Sequence, residues 1–284
     1  MSVRSAILKF GRVIHDASFV LLDPCSATEK LKTLSQLTRI ALAPGFLHRG
    51  AAVVGRNKFR VHYKDQLSFW QAYHEIFMRQ VYFFRSDKDA PLIFDCGANV
   101  GLATLYFKTM YPLSTIEAFE PDPLTFRILE ENVELNALEG VGLHQYALWD
   151  SEGELDFYVD ENSPSQLSMG VLPGRFGERE RRITVPAVRL SRFLDGKVVD
   201  FLKIDVEGSE ERLLSDLDRQ GSLERVRQMA VEYHHPPGRE SSRLSRVLGM
   251  LERVGFDYEV YADLRPRALR DHLHDVLIYA RRET

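Results

Sequence analysis

The chain has 284 residues, enough for one large domain or a domain with an appendage. Its 41 acidic against 37 basic side chains leave a net charge of −4, so no bulk positive field is available to hold a nucleic-acid backbone. Apolar residues at 44% and charged residues at 27% fit neither a disordered chain nor a collagen-like repeat, and two cysteines, Cys25 and Cys96, make neither a disulfide framework nor a metal-type spacing.

No uncharged apolar run approaches the roughly 18 residues of a membrane span. Arg4, Lys9 and Arg12 interrupt the stretch a signal peptide would need, so a cytoplasmic protein is expected. From Ser5 to Leu22, Ile7, Phe10, Val13, Ile14 and Ala17 recur at helical spacing. Such a stripe usually packs on its own domain, and it leaves self-association through the N-terminal helices open. Breaks follow at Asp23-Pro24 and Ala43-Pro44-Gly45, then a short strand at Lys58 to Tyr63. The spacing of Phe69, Trp70, Tyr73, Ile76, Phe77 and Val81 predicts an amphipathic helix from Gln66 to Tyr82. Residues 1–64 are thus expected to be a helical N-terminal extension, and 65–284 the main domain.

Beyond residue 90 short apolar runs alternate with helix-period segments, the pattern of an α/β protein with a mostly parallel sheet. Strands are predicted at Leu92 to Asp95, Thr115 to Glu120, Leu143 to Trp149, Phe201 to Asp205, Gln228 to His234, Tyr258 to Ala262 and Val276 to Ala280. Helices are predicted at Leu102 to Met110, Pro123 to Asn136, Ser209 to Asp218 and Ser241 to Val254. The last two strands have no long helical pattern between them, which favours an antiparallel final strand. An insertion, residues 151–196, carries a strand-like Glu154 to Val159, a polar Ser163 to Met169 and a charged run, Arg175 to Arg182. A long polar excursion of this kind is expected to be a mobile wall or lid of the acceptor site.

The first strand runs into Asp95-Cys96-Gly97-Ala98-Asn99-Val100-Gly101 and then a helix, the context of a nucleotide-binding turn. It is not the G-x-G-x-x-G of a dinucleotide site, since Asn99 and Val100 fill its middle. Asp95, an anion at the strand end, would repel a pyrophosphate and attract an amino group or a sulfonium. Glu120 follows Gly101 at about the 20-residue offset where an acid takes the ribose hydroxyls of an adenosine. A nicotinamide-dependent oxidoreductase would share the sheet and the ribose acid, but not Asp95 in place of the central glycine pattern.

Four segments in register, Phe94 to Gly101, Phe119-Glu120-Pro121, Ala147 to Gly153 and Lys203 to Glu210, resemble the FkbM-type S-adenosylmethionine-dependent methyltransferases. The resemblance covers roughly residues 65 to 282. It implies a class I, Rossmann-like methyltransferase fold with one antiparallel strand, and methylation of a hydroxyl on a sugar or natural product. It further implies that Asp95, Gly97, Asn99 and Gly101 line the methionine part of the cofactor, that Glu120 accepts from its ribose, and that Pro121, Ala147 and Leu148 hold its adenine. A module that binds the cofactor without catalysis would keep these residues.

Methyl transfer also needs a group to remove the hydroxyl proton. Asp205 with Glu207, and Glu232 with His234, end two strands at the edge where α/β sheets bind ligands. His234 could act as the base, or Asp205 and Glu232 could hold a hard divalent ion, magnesium or manganese, that acidifies the hydroxyl. Glu207 reads more simply as a turn-fixing acid. Cys96 lacks a neighbouring histidine to activate it, and His272 and His274 lack a second ligand pair.

Overall fold

The computed structural model describes residues 50–55, 57–64, 66–160, 169–174, 177–235, 243–262 and 274–282. The predicted stripe from Ser5 to Leu22, the breaks at Pro24 and Pro44, and His272 lie outside the described residues. What is described before residue 64 is not helical: β1 (Gly50–Val54) and β2 (Phe59–Tyr63) form an antiparallel hairpin. The hairpin is bound by the helix Pro123–Leu135 and the residue that caps it. Asn132 Oδ1 accepts from the His62 amide at 2.7 Å while its Nδ2 donates to the His62 carbonyl at 3.0 Å, and Asn136 does the same for Arg60. Two asparagines four residues apart share a helix face, so together they imitate a neighbouring strand.

Helix α1 (Gln66–Tyr73) passes into a π turn, His74–Met78, and stops short of the predicted Tyr82. Tyr82 and Phe84 instead turn inward, each 3% exposed. The central sheet contains β3 (Leu92–Cys96), β4 (Thr115–Phe119), β5 (Val141–His144), β9 (Val199–Ile204), β10 (Val226–His235), β11 (Asp257–Ala262) and β12 (His274–Arg281). Their order is β11-β12-β10-β9-β3-β4-β5, with β12 antiparallel to both neighbours. The expected reversal is therefore present.

Because successive strand residues face opposite sides, each strand feeds two cores. Ile93, Ile116 and Phe201 pack with Leu105, Phe107 and Leu129 from helices α2 (Leu102–Met110) and α3 (Pro123–Leu135). On the other face Phe94 and Leu202 pack with Leu213, Leu217 and Leu251 from α4 (Glu210–Arg219) and α5 (Leu244–Val254).

The apolar run from Leu143 to Trp149 is divided. β5 stays in the central sheet, while β6 (Ala147–Trp149) leaves at Gln145-Tyr146 to pair in parallel with β8 (Glu180–Arg189), which also pairs antiparallel with β7 (Gly153–Asp160). Much of the insertion is thus a three-stranded sheet with its own core, in which Phe157, Val159, Met169, Val185 and Ala187 are buried. The charged run ends in a 3-10 turn, Gly177–Arg179, and becomes the start of β8. Pro186 sits just outside the stretch of β8 paired with β6, so its missing amide hydrogen interrupts no second ladder.

Candidate active site

The glycine turn leaves β3 at the carboxyl edge of the sheet. The amides of Gly97 and Ala98 both donate to the Phe119 carbonyl, at 3.0 and 2.8 Å, which joins the turn to the end of β4. Gly97 has φ +83, and a Cβ there would stand 1.8 Å from the Asp205 carbonyl oxygen, so only glycine lets this turn meet the end of β9. Asn99 holds φ +50 and donates its amide to Glu120 Oε2 at 3.0 Å. The Asp122 amide donates to Glu120 Oε1 at 2.9 Å. Burial pushes the Glu120 carboxyl up to about 8, against the lowering by these two amides.

A cleft of about 610 Å³, counted with its solvent-open mouth, lies against this edge. Its polar side is Gly97, Asn99, Glu120, Asp205, Glu207 and Ser209. Its apolar side brings Pro121, Ala147 and Leu148 together with Phe157, Met169 and Val171 of the insertion sheet. Among the sequence candidates, Asp95, Gly101, Glu232 and His234 do not line it. Gly101 instead caps α2 at φ +91. Asp95 is fully buried: it accepts from Thr104 Oγ1 at 2.7 Å and pairs with Lys203 Nζ at 3.2 Å. The cation that meets Asp95 is therefore a lysine of the chain itself.

Lys203, two residues before Asp205 on β9, is 2% exposed. Its Nζ donates to the Gly97 carbonyl at 2.7 Å and lies 3.5 Å from Asp205 Oδ2. Burial works against its charge but is outweighed by Asp95 and Asp205, so the ammonium is held beyond its ordinary range. One cation thus fastens the glycine turn to the carboxylate at the next strand end. Period-two spacing from Asp205 was the signal that could have found it.

Behind Asp205, the Tyr82 hydroxyl lies 3.2 Å from Asp205 Oδ2 and 3.2 Å from Glu232 Oε2. Burial, then the charge of Asp205, pushes the Glu232 carboxyl well above the carboxylate range. His234 is 5% exposed, with Nδ1 2.8 Å from Glu210 Oε1 and Nε2 3.3 Å from Glu207 Oε2. Burial opposes the charged ring, but Glu207 and Glu210 outweigh it and raise the imidazole well above its ordinary value. Glu207 adopts φ +53, so the strand period ends at Ile204 and Asp205 and Glu207 do not share one strand face. Gly170 of the insertion lies against this turn, where a Cβ would stand 2.2 Å from the Glu207 carbonyl oxygen. Asp205, Glu207 and His234 each bring one ligand atom within 4.8 Å of the others. Cys96 is fully buried, and burial pushes its thiol well up, away from nucleophile chemistry.

Comparison with known proteins adds to this geometry. The methyltransferase FkbM domain matches residues 95–258, more than half of the chain. The methyltransferase sdnD of Sordaria araneosa is 34% identical over 215 residues, covering 65% of this chain and 81% of that protein. The 31-O-demethyl-FK506 methyltransferase FkbM of Streptomyces tacrolimicus is 28% identical over 238 residues, 72% of this chain and 87% of that one. Among solved structures, the methyltransferase FkbM of Methylobacillus flagellatus KT is similar with a TM-score of 0.48 and 14% identity over 95% of this chain, which spans 59% of that one. No helix among the described residues is long and apolar enough to cross a membrane. With a reversed strand near one end of a parallel sheet, a glycine turn whose Asn99 amide donates to a buried glutamate and a domain match over most of the sheet, the chain belongs to the FkbM family of S-adenosylmethionine-dependent methyltransferases.

Proposed function

We propose that this enzyme methylates a hydroxyl oxygen of a sugar or natural-product acceptor, with Asp205 as the group that receives the hydroxyl proton. The observation that carries the reading is that Asp205 lines the cleft between the glycine turn and Glu207 while Glu232 and His234 stand behind the wall. The printed name of the Streptomyces relative, a 31-O-demethyl-FK506 methyltransferase, supports an oxygen acceptor.

The residues present fit S-adenosylmethionine. When bound, it supplies a methyl group on a sulfonium that needs no activation. Glu120 offers the free lone pairs of its carboxyl to ribose hydroxyls, and the Asn99 and Asp122 amides fix its orientation. Pro121, Ala147 and Leu148 form the apolar side suited to adenine, closed by Phe157 and Met169. Asp95 acts on the cofactor only through the turn, which Lys203 and Thr104 hold in place.

Asp205 orients the acceptor hydroxyl by accepting its hydrogen bond. As the new C–O bond forms, the hydroxyl becomes a strong acid, so a carboxylate is basic enough to take the proton without ionising the acceptor beforehand. This reading gives no step to a metal. His234 has both ring nitrogens turned to carboxylates, and these raise the imidazole well above its ordinary value against the effect of burial. The Tyr82 hydroxyl lies 3.2 Å from Asp205 Oδ2 and 3.2 Å from Glu232 Oε2, the two acids that would hold a magnesium or manganese ion. The role of His234 is to anchor the Glu207 turn.

The test is incubation of the enzyme with methyl-labelled S-adenosylmethionine and fractionated extracts, followed by mass spectrometry and assignment of the methylated atom. An O-methyl product is expected, Asp205→Asn should lower turnover about 10²- to 10⁴-fold, and a chelator should leave it unchanged. A labelled carbon or nitrogen, or chelator inhibition reversed by magnesium or manganese, would overturn this reading.

A further inference from the structure

One tyrosine hydroxyl faces two carboxyl groups, and it has one hydrogen to give. The Tyr82 oxygen lies 3.2 Å from Asp205 Oδ2 and 3.2 Å from Glu232 Oε2, although the three residues come from the segment before β3, the end of β9 and the middle of β10. If both acids were ionised, only one contact could be a hydrogen bond and the other would be a repulsion between an oxygen and an anion. Both contacts are satisfied when one acid carries a proton: that acid donates to the tyrosine oxygen, and the tyrosine donates to the other acid.

We propose that Tyr82 is a positioning residue of the methyl-transfer site, tying Asp205 and Glu232 into a pair that shares one proton, kept on Glu232, so that Asp205 faces the cleft as the ionised member. The proposal rests on the assignment of Asp205 as proton acceptor. The asymmetry of the pair is set by its surroundings. Asp205 has Lys203 Nζ at 3.5 Å, whereas no lysine or arginine pairs with Glu232 among the described residues. The groups facing Glu232 are Asp205, His234, Glu75 and Glu207, of which only the imidazole favours its charged form. Those facing Tyr82 are Asp205, Glu232, Glu75 and Asp95, with Lys203 5.2 Å from the ring centroid. Burial first, then the charge of Asp205, pushes the phenol well above its ordinary value, so the hydrogen stays on Tyr82. The backbone beside it is also anchored, since the Tyr279 hydroxyl donates to the Val81 carbonyl at 2.6 Å.

The step balances with this arrangement. The acceptor oxygen forms a bond to the methyl carbon, the C–S bond breaks with its electron pair going to sulfur, and the hydroxyl proton passes to Asp205. Asp205 then releases that proton to water when products leave. The proton on Glu232 does not move during turnover; it keeps the charge of the pair at one, matched by Lys203.

The experiment is a pH titration of side-chain carboxyl resonances in full-length protein carrying 13C-labelled Asp and Glu, with and without S-adenosylhomocysteine. Glu232→Gln serves to assign one resonance and Tyr82→Phe to test the bridge. In the wild type the Glu232 resonance should stay protonated well above the ordinary glutamate range. In Tyr82→Phe the Asp205 carboxyl loses a donor to its charged form, which disfavours that form. The acid limb of the pH–rate profile should move accordingly, while cofactor affinity stays within about twofold. A fold defect would lower rate and affinity together without moving that limb. Ionisation of Glu232 within the ordinary glutamate range in the wild type would overturn the proposal. So would a Tyr82→Phe protein whose acid limb is unchanged. A cofactor that fails to bind in calorimetry would instead sink the assigned reaction, and the carboxyl titrations are read independently of it.

Discussion

Two halves of one sheet edge are built by different means. At β3 and β4 the site is made mostly of backbone amides closed over short sequence distances: the turn donates to Phe119, and Asn99 and Asp122 donate to Glu120. At β9 and β10 it is made of side chains that meet from far along the chain, with Tyr82 lying 123 and 150 residues from its two partners. The first half can bind a fixed cofactor with little freedom to vary. The second holds a connected set of charges, Lys203, Asp205, Glu232, His234, Glu207 and Glu210, whose protonation is decided by the fold as a whole.

The strongest way to break the distinction is Gly97→Ala, because Gly97 is where the two halves touch. The new Cβ would meet the Asp205 carbonyl at 1.8 Å and φ is +83, so the turn and Asp205 cannot both keep their places. Calorimetry and thermal unfolding should report loss of cofactor binding and a destabilisation above about 4 kcal/mol. Lys203→Met comes next. It removes the shared cation and leaves Asp95, fully buried, without its ion pair, at a cost of about 3 to 5 kcal/mol in denaturant unfolding.

A subtler test separates binding from stability at Glu120. Its folded value of about 8 lies above the unfolded glutamate value near 4.3, so the folded chain holds the proton more tightly. Stability of the free protein should therefore be greatest below about pH 4.3 as far as this group is concerned, fall between about pH 4.3 and 8 by at most about 1.4 kcal/mol per unit, and level off above. Glu120→Gln should remove that slope and leave the free protein more stable than wild type at about pH 8, while weakening cofactor binding by about 1.5 to 3 kcal/mol. Equal slopes would remove the raised titration of Glu120, and an unchanged cofactor affinity would take it out of the binding site. The smallest effect belongs to the outer face of the insertion: Arg182 pairs with Asp156 at 3.1 Å with both exposed, and Arg182→Ala should change stability by under about 1 kcal/mol and affinity not at all.

The same division explains what could be read from the amino acids. The turn from Asp95 to Gly101, Glu120 at its offset, and Pro123 opening α3 are local patterns, and they stand where their spacing put them. Tyr82 carried no local signal: it fell at the end of an amphipathic period that the π turn at His74–Met78 cuts short. Asp95 was legible as a strand-end anion, but its partner was not, because Lys203 arrives only when β9 pairs with β3. His234 was legible as a titrating group; its flanking by Glu207 and Glu210 depends on where α4 begins. The division between β5 and β6 was hidden because the apolar run crosses it, and β8 was hidden by its opening arginines and Pro186.

The crossing of the chain from β5 to β9 bears on how such enzymes can diversify. β3 and β9 are neighbours at the centre of the sheet, and everything between β5 and β9 is a detour that leaves the central sheet and returns to it beside β3. The entropy of closing a detour grows only by about 0.6 kcal/mol for each doubling of its length. The segment bearing Phe157, Met169 and Val171 can therefore lengthen, shorten or change its side chains while the central pair keeps its register. Gly170, pressed against the Glu207 turn, must stay small. One wall of the cleft is thus open to evolutionary variation while the rest is held fixed, so differences in cleft shape among relatives should be written chiefly between β7 and β8.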